Sequence, residues 1–233
     1  MYLVIDIETI GTSRKDVIDY IAANVKPPAT YKKAESIEAW HKEQGKEAIA
    51  EAVAKTGLDG AFGQVVCIGY QTPEMSEAGS IYGLDEAFLL HGLNQAIAAL
   101  VEPKNAIVTP VVGHNVSGFD LRFLMQRFIV NGIRPHNFLK RAGEAKPWES
   151  EKVFDTMVQF AGVGNRISLD KLCLALSIPS PKGEMDGSMV SQAVADGRIL
   201  EVVEYCKRDV SATKEVYERM TFAEPRQSQQ LAA

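Results

Sequence analysis

Three short acidic segments carry the chemistry legible in this chain. Asp6-Ile7-Glu8 sets two carboxylates at i and i+2 of an apolar, β-branched run. On a strand that spacing aims both side chains at one face, where they repel unless a cation sits between them. Asn115-Val116-Ser117-Gly118-Phe119-Asp120 follows a predicted strand and opens a predicted helix. Tyr205-Cys206-Lys207-Arg208-Asp209 lies inside a strong helical pattern, with Tyr205 and Asp209 on one helix face. Each segment also has a plain structural account: an exposed acidic strand end, a helix N-cap, a surface ion-pair face. Chance decides between the accounts. At this composition about one D-x-E, about 0.02 N-x3-[FY]-D and about 0.3 Y-x3-D are expected, and all three in this order on the order of once in a thousand. The combination points to four carboxylates gathered in space. Such hard oxygen ligands suit Mg²⁺ or Mn²⁺, which keep their remaining positions for water and phosphate.

The elements that must position these groups follow from periodicity. Residues 2–7, 64–70, 79–82 and 106–112 read as strands, and 152–155 as a fifth short strand or the start of a helix. Residues 85–100, 120–131, 168–176 and 199–220 carry helical stripes. Three consecutive strands, then alternating helix and strand, predict an α/β fold: a mixed sheet, antiparallel meander plus βα units, with flanking helices. One domain is expected over 1–222, followed by a frayed tail over 223–233. Between Glu8 and Gln64 lie about fifty residues where a tight turn would serve. Within this insert, 13–62, Ile37, Trp40, Ile49 and Val53 predict an amphipathic helix over 35–53. It is either a surface element burying Trp40 or, because it leaves the strand right after Glu8, one wall of a groove.

Bulk properties narrow the class. The 233 residues, 46% hydrophobic and 24% charged, suit a folded domain, with no apolar run long enough to span a bilayer. The N-terminus has neither the basic start nor the cleavage site of a signal peptide. Cys67, Cys173 and Cys206 are odd in number and lack C-x-x-C spacing, which speaks against a disulfide framework or a structural zinc site. A reduced, cytoplasmic setting is expected. A net charge of −5 lacks the basic face usual for nucleic-acid binders, although bound ions would neutralise part of that acidity. The best local basic patch, 136–146 with Lys140 and Arg141, is equally a solvated loop. His41, His91, His114 and His136 share no metal-ligand spacing and are read as non-catalytic.

By these motifs the chain resembles the DEDD superfamily of 3′–5′ exonucleases, built on an RNase H-like fold. Asp6 and Glu8 match its first motif, Asp120 its second, and Tyr205 with Asp209 its third. Glu204 stands where a variant of the family has His, so the resemblance is to the tyrosine subclass. Val153-Phe154-Asp155 and the stretch 181–188 bring it nearer to stand-alone proteins similar to the exonuclease domain of family-B DNA polymerases. The resemblance implies two divalent ions, Mg²⁺ or Mn²⁺, held by Asp6, Glu8, Asp120 and Asp209, with Tyr205 orienting the attacking water. It implies a nucleic-acid substrate, single-stranded DNA ahead of RNA, and no membrane; it identifies no protein partner. Thr9, Asn115 and Phe119 are candidates for holding the terminal nucleotide, and Lys182 for approaching phosphate or remaining a solvated loop lysine. Asp155 is expected behind the metal ligands. The alternatives are a binding domain of the same fold that lost turnover, an exoribonuclease, and an RNase H-like endonuclease, which has no need of the second and third motifs.

Overall fold

The computed structural model describes residues 1–101 and 109–223. The expected tail and the start of the expected fourth strand lie outside the described residues. In chain order, β1 (Leu3–Ile10) is followed by α1 (Lys15–Asn24), α2 (Ala34–Glu43) and α3 (Gly45–Lys55), then β2 (Gln64–Gln71) and β3 (Gly79–Tyr82). After α4 (Glu86–Leu100) come β4 (Val111–Gly113), α5 (Asp120–Val130), α6 (Asn137–Gly143), β5 (Val153–Asp155), α7 (Thr156–Ala161) and α8 (Leu169–Leu176). The chain closes on α9 (Val190–Ala195) and the 22-residue α10 (Ile199–Met220). The sheet order is β3-β2-β1-β4-β5. The first three strands pair antiparallel, while β1 with β4 and β4 with β5 are parallel. Meander and βα units thus meet at β1, as the alternation of elements predicts.

The pleat of β1 sorts its side chains between two layers. Leu3, Ile5 and Ile7 enter the main core with Leu89, Leu93 and Ile97 of α4 and Leu121, Leu124 and Phe128 of α5. Tyr2 and Val4 face the other way, packing with Val112 and with Val210 of α10. The even-numbered Asp6 and Glu8 therefore belong to the α10 side. Burying each large aliphatic residue of this core contributes roughly 1.5–3 kcal/mol, so truncating Ile5 to Ala leaves a cavity costing about 2–5 kcal/mol. Gly69 pairs with Asp6 across β1 and β2. A Cβ there would stand 2.8 Å from the Cys206 sulfur and 2.8 Å from Val210, so a residue without one lets α10 lie directly on the sheet.

The insert differs from its expected form. It holds three helices, not one: α1 has only Val17 buried, and the predicted 35–53 helix breaks at Gln44–Gly45. Glycine is a poor helix former, and the stripe turns at that point. Trp40 is buried, as expected. A 3-10 turn, Thr56–Leu58, returns the chain to β1: Thr9 donates its hydroxyl to Gly57 O at 2.6 Å, and Thr12 N donates to Thr56 Oγ1 at 2.7 Å. Arg127 of α5, buried, grips Glu86 at 2.7 Å and also donates to Gly60 O at 3.1 Å. That satisfied pair pins the end of the insert to the core.

Within 136–146, the expected solvated loop is in part a helix, α6, on which Lys140 stays exposed. In α6, Phe138, Leu139 and Ala142 are buried, and Arg141 donates to Thr109 O at 2.8 Å. Seven residues are too few for a periodic signal. The 152–155 segment does both things expected of it: β5 ends on Asp155, which caps α7. Among the described residues no helix is long and apolar enough to cross a membrane.

Candidate active site

β1 is the strand from which successive connections depart in opposite directions, and in open α/β sheets such a switch point forms a crevice at the strand ends. The four expected carboxylates meet there. Asp6 and Glu8 stand on the last part of β1. Asp120 opens α5, directly after the β4 turn, and accepts a hydrogen bond from Ile7 N at 3.0 Å through Oδ1. Asp209 projects from the middle of α10, with Tyr205 one turn earlier close enough to favour its anion. Glu8 and Asp120 are buried, Asp6 and Asp209 half-buried.

The electrostatics are those of an uncompensated anionic cluster. Burial and then repulsion from Asp120, Glu8 and Asp209 hold Asp6 well above the ordinary carboxylate range. Glu8 is raised by burial and by Asp209. Burial lifts Asp120 to about 7 against the two backbone amides that favour its anion, and lifts Asp209 to about 6 against Tyr205 and Arg208. Among the described residues no Lys or Arg forms an ion pair with any of the four. Four hard oxygen donors without a cationic side chain between them fit divalent cations. Asp6, Glu8 and the Cys206 thiol also offer ligand atoms within 4.8 Å of one another.

Residues 64–231 match the family described as a predicted 3′–5′ exonuclease related to the exonuclease domain of PolB. The chain belongs to that family. The matched span includes Asp120, Tyr205 and Asp209; Asp6, Glu8 and the insert precede it. The fold is also found within the family B DNA polymerase of the hyperthermophilic archaeon Pyrobaculum calidifontis, with a TM-score of 0.58 and 14% identity. That likeness covers 94% of this chain and 24% of the polymerase, so the chain spans about a quarter of that protein. At such identity the likeness is one of fold, and it supports the RNase H-like architecture. No curated protein matches the chain.

The remaining expected residues of this family member divide. Thr9 and Phe119 line a cleft of about 410 Å³ beside Glu8, together with Lys55 and Leu58 of the insert and Ser188 and Ser191 around the start of α9. Phe119 is half-buried, its ring 5.4 Å from that of Phe123. Asn115 shapes the turn before Asp120. It adopts φ 61°, and its carbonyl accepts from Gly118 N at 3.1 Å and Phe119 N at 2.9 Å. A Cβ on Gly118 would stand 2.6 Å from Asn115 Oδ1. The N-x-x-G-F-D spacing is thus a left-handed turn that delivers Asp120.

Asp155 supports the same turn, accepting from Asn115 N and Ser117 N at 3.0 Å each while capping α7. It acts on the loop, not on the four carboxylates by a hydrogen bond. Lys182 is exposed and is not among the residues lining the cleft beside Glu8. Two neighbours stand beside the turn and the carboxylates: His114, expected to be non-catalytic, and Cys206, which carried no signal. His114, held between Thr156 Oγ1 and Ile167 O at 2.9 Å each and pushed down by burial, braces the turn as a neutral ring. Cys206 places its sulfur 3.3 Å from Asp6 Oδ2. A cysteine in a helical stripe has the signature of core packing, so nothing in its spacing marks it.

Proposed function

We propose that this chain is a metal-dependent 3′–5′ exonuclease of the tyrosine DEDD subclass, acting on single-stranded DNA, with Asp6, Glu8, Asp120 and Asp209 as ligands of two Mg²⁺ or Mn²⁺ ions. The convergence of four carboxylates from β1, α5 and α10, raised together by burial and mutual repulsion, carries this reading. Bound ions would supply charge neutralisation at the scissile phosphate and lower the pKa of the attacking water. Asp120 is held by the Ile7 amide, so that its free oxygen is presented at a fixed place.

Tyr205 orients. Burial pushes its hydroxyl above the ordinary tyrosine range, so it is no base at neutral pH, and it serves as a donor that aligns water and Asp209. The cleft beside Glu8, lined by Phe119 and by the insert's Leu58, 74% exposed, receives the terminal nucleotide. Support for the activity comes from the family description and the motif set; the choice of DNA rests on the likeness to the exonuclease domain of PolB. Incubating end-labelled DNA and RNA strands with Mg²⁺ tests the proposal. Mononucleotide release from DNA is expected; intact strands would leave the binding-domain reading, and faster release from RNA would move the substrate.

A further inference from the structure

The Asp6–Glu8 pair is not purely an oxygen site. Cys206, the residue after Tyr205 on α10, sets its sulfur 3.3 Å from Asp6 Oδ2 and 3.7 Å from Asp6 O, and Cys67 faces Glu8 across the β1–β2 ladder. Glu8 is the telling neighbour. Only 8% exposed, its carboxylate meets no hydrogen-bond donor among the described residues, yet it lies with Asp6 and the Cys206 sulfur inside a 4.8 Å group. Two carboxylates and a thiol within one small group form a set whose charge a divalent cation would neutralise. The thiol decides which cation fits best.

We infer that Cys206 adds a soft ligand to the Asp6–Glu8 position, so that a thiophilic divalent ion such as Zn²⁺ or Cd²⁺ is held by Asp6, Glu8 and Cys206 and competes there with the hard ion the proposed nuclease needs. Thiolate ligands select Zn²⁺ and its softer relatives over Mg²⁺, and three protein ligands leave a fourth tetrahedral position for water. On binding, the Sγ–H bond breaks, the proton passes to solvent and a sulfur–metal bond forms. No oxidant takes part. A sulfur ligand draws the ion toward α10 and away from the position four oxygens would define, so the bound soft ion inhibits.

This inference rests on reading Asp6 and Glu8 as metal ligands, but its test does not use strand cleavage. The ion-free full-length chain is titrated with Cd²⁺ at neutral pH while the ultraviolet cadmium–thiolate charge-transfer band is recorded. A saturable band at one ion per chain is expected in the wild type and in Cys173→Ala, whose thiol packs in a separate cluster. The band should vanish in Cys206→Ala, and Cd²⁺ affinity should fall at least about 10-fold in Glu8→Gln. Zn²⁺ should bleach the band at concentrations where Mg²⁺ does not. No band in folded wild type, or an undiminished band in Cys206→Ala, overturns the inference. Should Cys206→Ala not fold, unchanged Cd²⁺ affinity in Glu8→Gln overturns it instead. A missing band alongside Mg²⁺-dependent cleavage removes the thiol's role alone; a band without cleavage removes only the nuclease reading.

Discussion

The backbone amide of Ile7 donates to Asp120 Oδ1 at 3.0 Å, joining the first acidic segment to the second through the one residue that separates Asp6 from Glu8. The bond fixes Asp120 without using a cation. Asn can accept it through its own side-chain oxygen. Asp120→Asn is therefore expected to fold, to melt above the ion-free wild type near neutral pH, and to lose more than about 100-fold in activity, since even changes behind metal ligands cost 10–100-fold. Thermal unfolding and initial rates check it. An active Asp120→Asn enzyme would contradict the assignment.

The pH dependence of the ion-free protein should run opposite to ordinary acid denaturation. Asp120 and Asp209 have folded pKa values of about 7 and about 6, above those of unfolded carboxylates. A raised folded pKa means the native state binds the extra proton. The resulting stability is fully present below the unfolded value near 4 and is lost as pH rises through about 6–7. Ion-free stability attributable to these groups should fall between roughly pH 4 and 7, and saturating Mg²⁺ should restore it at neutral pH. Chemical denaturation across that range, comparing wild type with Asp120→Asn, isolates the effect. A wild-type-minus-variant difference that grows with pH has the wrong sign.

Tyr205→Phe removes a hydroxyl but no metal ligand. A rate loss of about 10- to 100-fold is expected, the scale of a mispositioned reactant, with metal affinity near wild type by calorimetry. A Phe variant that cuts at the normal rate would assign Tyr205 to packing alone.

Much of this arrangement was legible because chemistry-bearing spacings survive in sequence. Asp6 and Glu8 follow from the period of two, and Tyr205 with Asp209 from the helical i,i+4 relation. The mixed character of the sheet, antiparallel meander plus βα units, followed from the alternation of elements. What was not legible depends on contacts between distant segments. The type of Asn115 suits hydrogen bonding, but its left-handed backbone beside Gly118, which shapes the turn before Asp120, is not visible in its type. The Pro-Gly surroundings of Lys182 specify a loop and leave open whether that loop approaches phosphate or stays solvated. The break at Gln44–Gly45 escaped because charged, alanine-rich segments carry a shallow apolar stripe. Cys206 became notable only once α10 lay on Asp6.

Arg127 anchors the insert end through Glu86, Gly60 and Ala61. Arg127→Met leaves Glu86 buried without its partner, at a cost of about 3–5 kcal/mol. The melting temperature should drop, and cleavage should weaken through KM more than through kcat as the Leu58 wall loosens. Steady-state kinetics below the melting transition separates the two constants. A pure kcat effect would remove the insert from the substrate cleft.

The central claim is tested most directly by following two labels on one single-stranded DNA, one on its 3′-terminal nucleotide and one on its 5′ end, with Mg²⁺ and with Asp209→Ala as control. The account predicts that the 3′ label leaves first, as a mononucleotide, while the 5′ label stays on a strand shortening one residue at a time. Chelator and Asp209→Ala should both stop this. Because a paired end must first be unstacked at a cost of a few kcal/mol, the matched blunt duplex should react more slowly. Release of the 5′ label first, internal fragments, or full activity in Asp209→Ala would contradict it.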